Sequence, residues 1–151
     1  MNDLTMTLAA SGSSDAQFIL KKLLEHNSDF VGPSNNLELT ITLNDSQGDL
    51  VAGLNGYTHW NWMYIKLLWT KEDRRGKGLG HQLMMAAERE ALRRGAQHAW
   101  VDTFSIEARQ FYEGLGYKVF GTLPEYPAGH SRYFLCKDLN GDHLGCTGTK
   151  S

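Results

Sequence analysis

Eight residues constrain this chain more than any others: Arg74-Arg75-Gly76-Lys77-Gly78-Leu79-Gly80-His81. An apolar run over 64–69 and a short polar link precede them. A helical pattern follows at once, with Leu79, Leu83, Ala87 and Ala91 on one face. A strand, a basic glycine-rich turn and a helix, in that order, present backbone N–H groups to an anion. The first turn of a helix leaves those groups without intrahelical partners, and the macrodipole adds positive potential there. Glycine lets a bulky phosphate approach the backbone and lets the chain take positive φ. The expected ligand therefore carries phosphate. Spacing removes two common candidates. A Walker loop needs Lys and then Ser or Thr after its last glycine, and here Gly80 is followed by His81 and Gln82. A dinucleotide fingerprint counted from Gly76 and Gly78 needs a glycine where His81 stands.

Composition enters where it narrows the partner. The chain has 151 residues, 41% hydrophobic and 21% charged, enough for one domain with a sizeable core. Its net charge of −2 argues against a protein that coats nucleic acid. The charge is uneven: residues 1–70 are acidic, while residues 71–94, with the glycine turn, are basic. That contrast suits a small polyanion. Cys136 and Cys146 have no metal-type spacing, no Cys/His cluster completes a metal site, and free thiols are expected. The N-terminus lacks a signal pattern and no apolar run approaches a membrane span, so a cytoplasmic protein with no membrane partner is expected.

Taken in order, the pattern predicts an edge strand at 4–8, then a helix from about Asp15 to His26 or Asn27, capped from the serines of 11–14. Strands follow at 37–44 and 50–58, joined by the turn cluster 45–48, and a third runs over 62–69. After the glycine turn the helix ends at Arg93-Arg94 before Gly95. A strand at 99–104, a short helix from the N-cap Ser105 through Tyr112, and strands at 117–120 and 132–138 complete the chain. The segment 121–131 reads as a loop. One domain is expected over residues 1–139, with a flexible tail at 140–151. Hairpin strands followed by alternating strands and helices imply a mixed sheet with helices on its faces.

Two stretches carry a resemblance. Arg75-x-x-Gly78-x-Gly80 resembles the pyrophosphate loop of the GNAT superfamily of N-acetyltransferases, and Ser105-x-x-Ala108-x-x-Phe111-Tyr112-x-x-x-Gly116-Tyr117 resembles that family's second signature. One helix and one strand separate them, as in the family, and Leu67-Leu68-Trp69 matches its fourth-strand segment. The resemblance spans most of the chain and is specific over about residues 65–120. It implies an α/β fold of the α+β type: a mixed, largely antiparallel sheet of about six to seven strands flanked by helices, with the fourth and fifth strands splayed. It also implies acetyl-coenzyme A as cosubstrate and an amine as acceptor.

On that reading, the pantetheine arm pairs with the backbone of Leu67, Leu68 and Trp69, because its amides can hydrogen-bond much as another strand would. The pyrophosphate falls on Arg75, Gly76, Lys77, Gly78, Gly80 and His81. Ser105 and Tyr112 complete the cofactor-binding set. Ser105 either contacts the pantetheine arm, where the family usually has Asn, or acts only as an N-cap. Ser105, Ala108 and Tyr112 form one stripe, and Tyr112 matches the family's usual general acid. Without the motif, Tyr112 would read as an aromatic anchor beside Phe111.

Many family members carry an acidic base on the fourth strand; the corresponding place here holds Lys66. The base is expected in a water chain, His59, His130 or a carboxylate elsewhere. For the acceptor, His59, Trp60, Trp62, Tyr64, Tyr126 and His130 are the candidate residues, with Trp60, Trp62 and Tyr126 read in turns or loops. Aromatic faces attract an amine cation, and the acidic first half suits one.

Three functions compete: acetylation of a small-molecule amine, acetylation of a peptide, protein or aminoacyl-tRNA amine, and a coenzyme A-binding module without catalysis. Nucleic acid fits poorly with the net charge. A homodimer is implied by analogy with relatives.

Overall fold

The computed structural model describes residues 3–141. They fall into two units, one up to Ser34 and one from Asn35 onward. The first unit holds α1 (Asp15–Val31), which runs past the expected end at 26–27. Nothing between 27 and 31 breaks a helix: Ser28 turns its hydroxyl back to the Glu25 carbonyl at 2.8 Å, and the helix stops only at Gly32, φ 79°. The expected strand at 4–8 does not form. Leu4, Met6 and Leu8 are strongly exposed, and an extended segment becomes a strand only when another strand satisfies its N–H and C=O groups. Helix α1 buries none of its residues within the described chain.

The second unit contains β1 (Leu37–Asn44), β2 (Leu50–His59), β3 (Trp62–Thr70), α2 (Leu79–Arg93), β4 (His98–Thr103), α3 (Ile106–Gly114), β5 (Lys118–Pro124) and β6 (Ser131–Asp138). The six strands form one sheet in the order β1-β2-β3-β4-β6-β5. Only β3 and β4 run parallel; the other neighbours are antiparallel. This is the mixed, largely antiparallel sheet expected, with six strands. Asp45 shapes the first hairpin, its Oδ1 accepting from the N–H groups of Gln47 at 2.9 Å and Asp49 at 3.0 Å.

One irregularity positions everything that follows. The β2–β3 register passes from Asn55↔Leu67 directly to Gly56↔Ile65, so Lys66 is an extra residue, a β-bulge. Only a glycine fits opposite it, since a Cβ on Gly56 would run into the Tyr64 carbonyl. A bulge bends the strand that carries it. Accordingly β3 and β4 pair only from Trp62↔His98 to Ile65↔Val101, and beyond that point they part. The family's fourth and fifth strands are β3 and β4 here, so the expected splay is observed.

The core lies on one face of this sheet. Met63, Ile65, Ala99, Val101 and Leu135 pack with Leu83, Met84, Ala87 and Ala91 of α2 and with Tyr112 of α3. Burying each large apolar side chain contributes roughly 1.5–3 kcal/mol, so this face anchors both helices. Glu88 of α2 is buried, yet both carboxylate oxygens are engaged, by Lys137 at 2.8 Å and by the Tyr117 hydroxyl at 3.1 Å.

Three expectations differ from what the structure shows. Strand β5 continues to Pro124, so the loop shrinks to residues 125–130. Pairing with β6 carries it there, and Pro124 at the end of an edge strand leaves no ladder bond missing. Trp62 opens β3, as the strand expected over 62–69 has it, so its reading as a turn residue is corrected. Cys136 is disulfide-bonded, which corrects the free-thiol expectation for that residue. Thiol pairing depends on how close the fold brings two Cα atoms, which sequence spacing does not reveal. Cys146 and residues 142–151 of the expected tail lie outside the described residues.

Candidate active site

Past Ile65, β3 has no partner among the described residues on the side facing β4, and this open edge forms one wall of a groove of about 670 Å³. Leu68, Trp69 and Thr70 supply that wall; Arg74 to Gly76, Gly78 to His81, Ser105, Ala108 and Phe111 supply the others. Helix α2 opens onto it. Gly78 is the N-cap at φ 80° and no side chain caps the helix, while Gln82 N–H donates to Gly78 O at 3.0 Å. The N–H groups of Leu79, Gly80 and His81 are therefore those an α-helix leaves without partners, and all three residues line the groove. Arg75 secures the turn, donating from Nε to Thr70 O at 3.2 Å.

The glycines serve different ends. Gly78 supplies a left-handed conformation that a side chain would strain. Gly80 serves packing: a Cβ there would sit 3.2 Å from the Phe111 ring, so the residue lets α2 and α3 approach each other.

Ser105 caps α3, its Oγ accepting from Ala108 N–H at 3.2 Å, and it also lines the groove. Tyr112 is 7% exposed and lies behind Phe111, with ring centroids 5.3 Å apart. Burial, and secondarily the charge of Asp102, push its hydroxyl up to about 12. Leu67, Lys77 and Tyr112, expected in the cofactor set, are not among the residues lining the groove.

The acceptor candidates separate into three places. His59, Trp60 and Trp62 sit at the β2–β3 turn, with His59 edge-on to Trp60 at 4.2 Å and within 3.4 Å of Asn36. From Trp62 to the bulge is four residues, on the order of 13 Å of strand. Tyr126 and His130 lie in the β5–β6 loop. His130 lines a second pocket of about 250 Å³ with Phe104, Ile106 and Tyr133. Tyr64 alone stands where the strands part. It alternates with the core residues Met63 and Ile65, so its ring emerges on the sheet face away from α2 and stacks on Trp100 at 4.1 Å. Its hydroxyl donates to Asp102 Oδ1 at 2.7 Å, and Arg132 Nη1 lies 3.3 Å from Asp102 Oδ2. The Arg132 guanidinium in turn lies over the Tyr126 ring at 4.3 Å.

Comparison with known proteins agrees with this fold. The profile of the acetyltransferase (GNAT) family matches residues 14–117. The chain belongs to the GNAT acetyltransferase family. Over 94 residues it is 36% identical to a blasticidin-S acetyltransferase of Streptomyces morookaense, covering 62% of this chain and 69% of that protein. Over 135 residues it is 33% identical to the acetyltransferase Atu2258 of Agrobacterium fabrum, covering 87% and 98%. A crystal structure from Agrobacterium tumefaciens superposes with a TM-score of 0.82 at 30% identity, over 89% of this chain and 99% of that one.

As a GNAT acetyltransferase, the protein is an acyl-CoA-dependent N-acetyltransferase. Among the described residues, no helix is long and apolar enough to cross a membrane. Reading the sequence did not single out Asp102, Arg132, Trp100 or Phe104. The alternation of Trp100 and Asp102 with Val101 does place Asp102 on the outer face of its strand. Nothing in the sequence marks Tyr64, 38 residues earlier, as its partner.

Proposed function

We propose that this GNAT acetyltransferase transfers an acetyl group from acetyl-coenzyme A to a primary amine of a small molecule, by direct attack within a ternary complex. One observation carries the reading: the uncapped N-terminus of α2 and the open edge of β3 wall the same groove. A helix N-terminus suits a pyrophosphate, and an unpaired strand edge suits the amides of a pantetheine arm. We assign the pyrophosphate to the N–H groups of Leu79, Gly80 and His81, and the pantetheine to β3 beyond Ile65. Tyr112, held protonated by burial, is assigned to protonate the departing thiolate. The blasticidin-S acetyltransferase relative supports a small-molecule acceptor, and the acidic residues 1–70 support a cationic one.

The test pairs calorimetry of coenzyme A with thiol release from acetyl-coenzyme A across amines: blasticidin S, polyamines, amino-acid amides and a lysine peptide. Turnover with a small amine supports the reading. Turnover with the peptide alone moves the acceptor to protein. Tight binding without turnover leaves a coenzyme A-binding module, and absence of binding overturns the assignment.

A further inference from the structure

Acetyl transfer to an amine needs somewhere for the amine's proton to go, and the bulge residue of β3 is no help. Lys66 is exposed and brings no carboxylate to the fork. The neighbouring strand carries a carboxylate instead. Asp102 is the first residue of β4 beyond its last pair with β3, so it stands at the mouth of the fork. Both its oxygens are held, Oδ1 by the Tyr64 hydroxyl at 2.7 Å and Oδ2 by Arg132 at 3.3 Å. Tyr64 is itself fixed by stacking on Trp100 at 4.1 Å and by the edge of Tyr57 at 5.4 Å. These groups come from β2, β3, β4 and β6, and they leave the Tyr64 oxygen able to accept one more hydrogen bond while it donates to Asp102. The charge of Asp102 is also felt at Tyr112, on the opposite side of the sheet. The fork thus brings a proton donor on one face within electrostatic reach of a proton acceptor on the other.

We infer that Tyr64 and Asp102 together form the proton acceptor for the amine, with Tyr64 touching the substrate and Asp102 acting through it. The inference rests on the acetyl-transfer reading above. In the step, the amine nitrogen bonds to the thioester carbonyl carbon. Its N–H proton passes to the Tyr64 oxygen as the Tyr64 proton passes to Asp102 Oδ1. The C–S bond breaks, and the sulfur takes its proton from Tyr112. Solvent then returns the proton from Asp102 to Tyr112, and amide and thiol leave. Arg132 is a positioning residue that keeps Oδ1 turned toward Tyr64.

The experiment compares wild type with Tyr64→Phe, Asp102→Asn, Asp102→Glu and His130→Ala on the best amine of the screen, recording kcat/KM against pH and coenzyme A affinity by calorimetry. Tyr64→Phe and Asp102→Asn are expected to lower kcat/KM by about 10²–10³-fold with coenzyme A affinity unchanged, and Asp102→Glu to recover part of the loss. The pH profile separates a proton acceptor from a mere prop. In wild type the rise with pH should level off below the amine's own pKa. In Asp102→Asn it should keep climbing toward about 10.4, following the free amine. Rates within threefold of wild type in both Tyr64→Phe and Asp102→Asn overturn the inference alone. So does an unaltered profile shape, or a loss confined to His130→Ala. Coenzyme A binding with no transfer to any amine overturns the catalytic reading and the inference together.

Discussion

The groove at the glycine turn and the cluster at the fork sit at two ends of one opening in the sheet, yet they are built from different materials. The groove is mostly backbone: three helix N–H groups, an open strand edge, and a turn that Arg75 ties to Thr70. These backbone parts lie close together in the chain. The cluster is side chain: a phenol from β3, a carboxylate from β4 and a guanidinium from β6, brought together only by the sheet. A backbone site depends on conformation and tolerates many side-chain changes. A side-chain site depends on single atoms. Substitutions should therefore act differently at the two places, and the predictions below test that difference.

The largest effect is expected at Tyr112, buried behind Phe111 of the groove wall and within reach of the charge of Asp102. Replacing it with Phe should lower kcat by about 10²–10³-fold while the KM for acetyl-coenzyme A stays within a few-fold, as for a group acting only in the transition state. Steady-state kinetics over both substrates checks this, and an unchanged kcat would move the acid elsewhere. The same variant has a stability signature. Burial, and secondarily the charge of Asp102, push Tyr112 up to about 12 in the folded state, against about 10 for an unfolded tyrosine, so the folded state holds the proton more tightly. That contribution, roughly 3 kcal/mol, is fully present below pH 10 and lost as pH rises through 12. Thermal melts of Tyr112→Phe should fall less steeply over that range than those of wild type. Tyr117, also raised by burial and by Glu88, continues to act in both proteins.

The same contrast explains what could be read from the sequence. The glycine turn, α2 and the Ser105 cap were legible because local rules govern them: periodicity, caps and positive φ act over a few residues. The hairpin of β1 and β2 was legible for the same reason, since Asp45 makes the turn with its own neighbours. The bulge at Lys66 was not, because it exists only in the register between β2 and β3. The bulge also opens the fork onto Asp102, the carboxylate that the proposed relay uses in place of an acid on β3. The Tyr64–Asp102–Arg132 cluster spans three strands that no spacing rule connects. The strand expected at 4–8 failed for the converse reason. Its alternation was right locally, and pairing, which alternation cannot supply, was missing.

A smaller effect, confined to the groove, is expected from Gly78→Val. The residue is at φ 80°, and a β-branched side chain there costs about 1–2 kcal/mol. A Cβ at Gly78 meets nothing within 4 Å, so the cost is conformational rather than a clash with the protein. The turn should relax and misdirect the N–H groups of α2, weakening coenzyme A by about 10–100-fold in calorimetry, with kcat at saturating cofactor nearly retained. Normal affinity would mean that the helix N-terminus is not the anion site.

The smallest effect concerns Ser105, which touches both regions: it follows β4, lines the groove and caps α3. Its hydroxyl already accepts from Ala108 N–H at 3.2 Å, which favours the cap over a pantetheine contact. Ser105→Ala should cost about 1 kcal/mol, a fall in Tm of roughly 2–4 °C for a domain of this size, with coenzyme A affinity within twofold. Ser105→Asp should restore the melting temperature, because an Asp caps as well as a Ser. If affinity drops tenfold while the melt is unchanged, the hydroxyl serves the ligand, and the groove depends on a side chain after all. That result would weaken the division between a backbone site and a side-chain site at the one residue where the two meet.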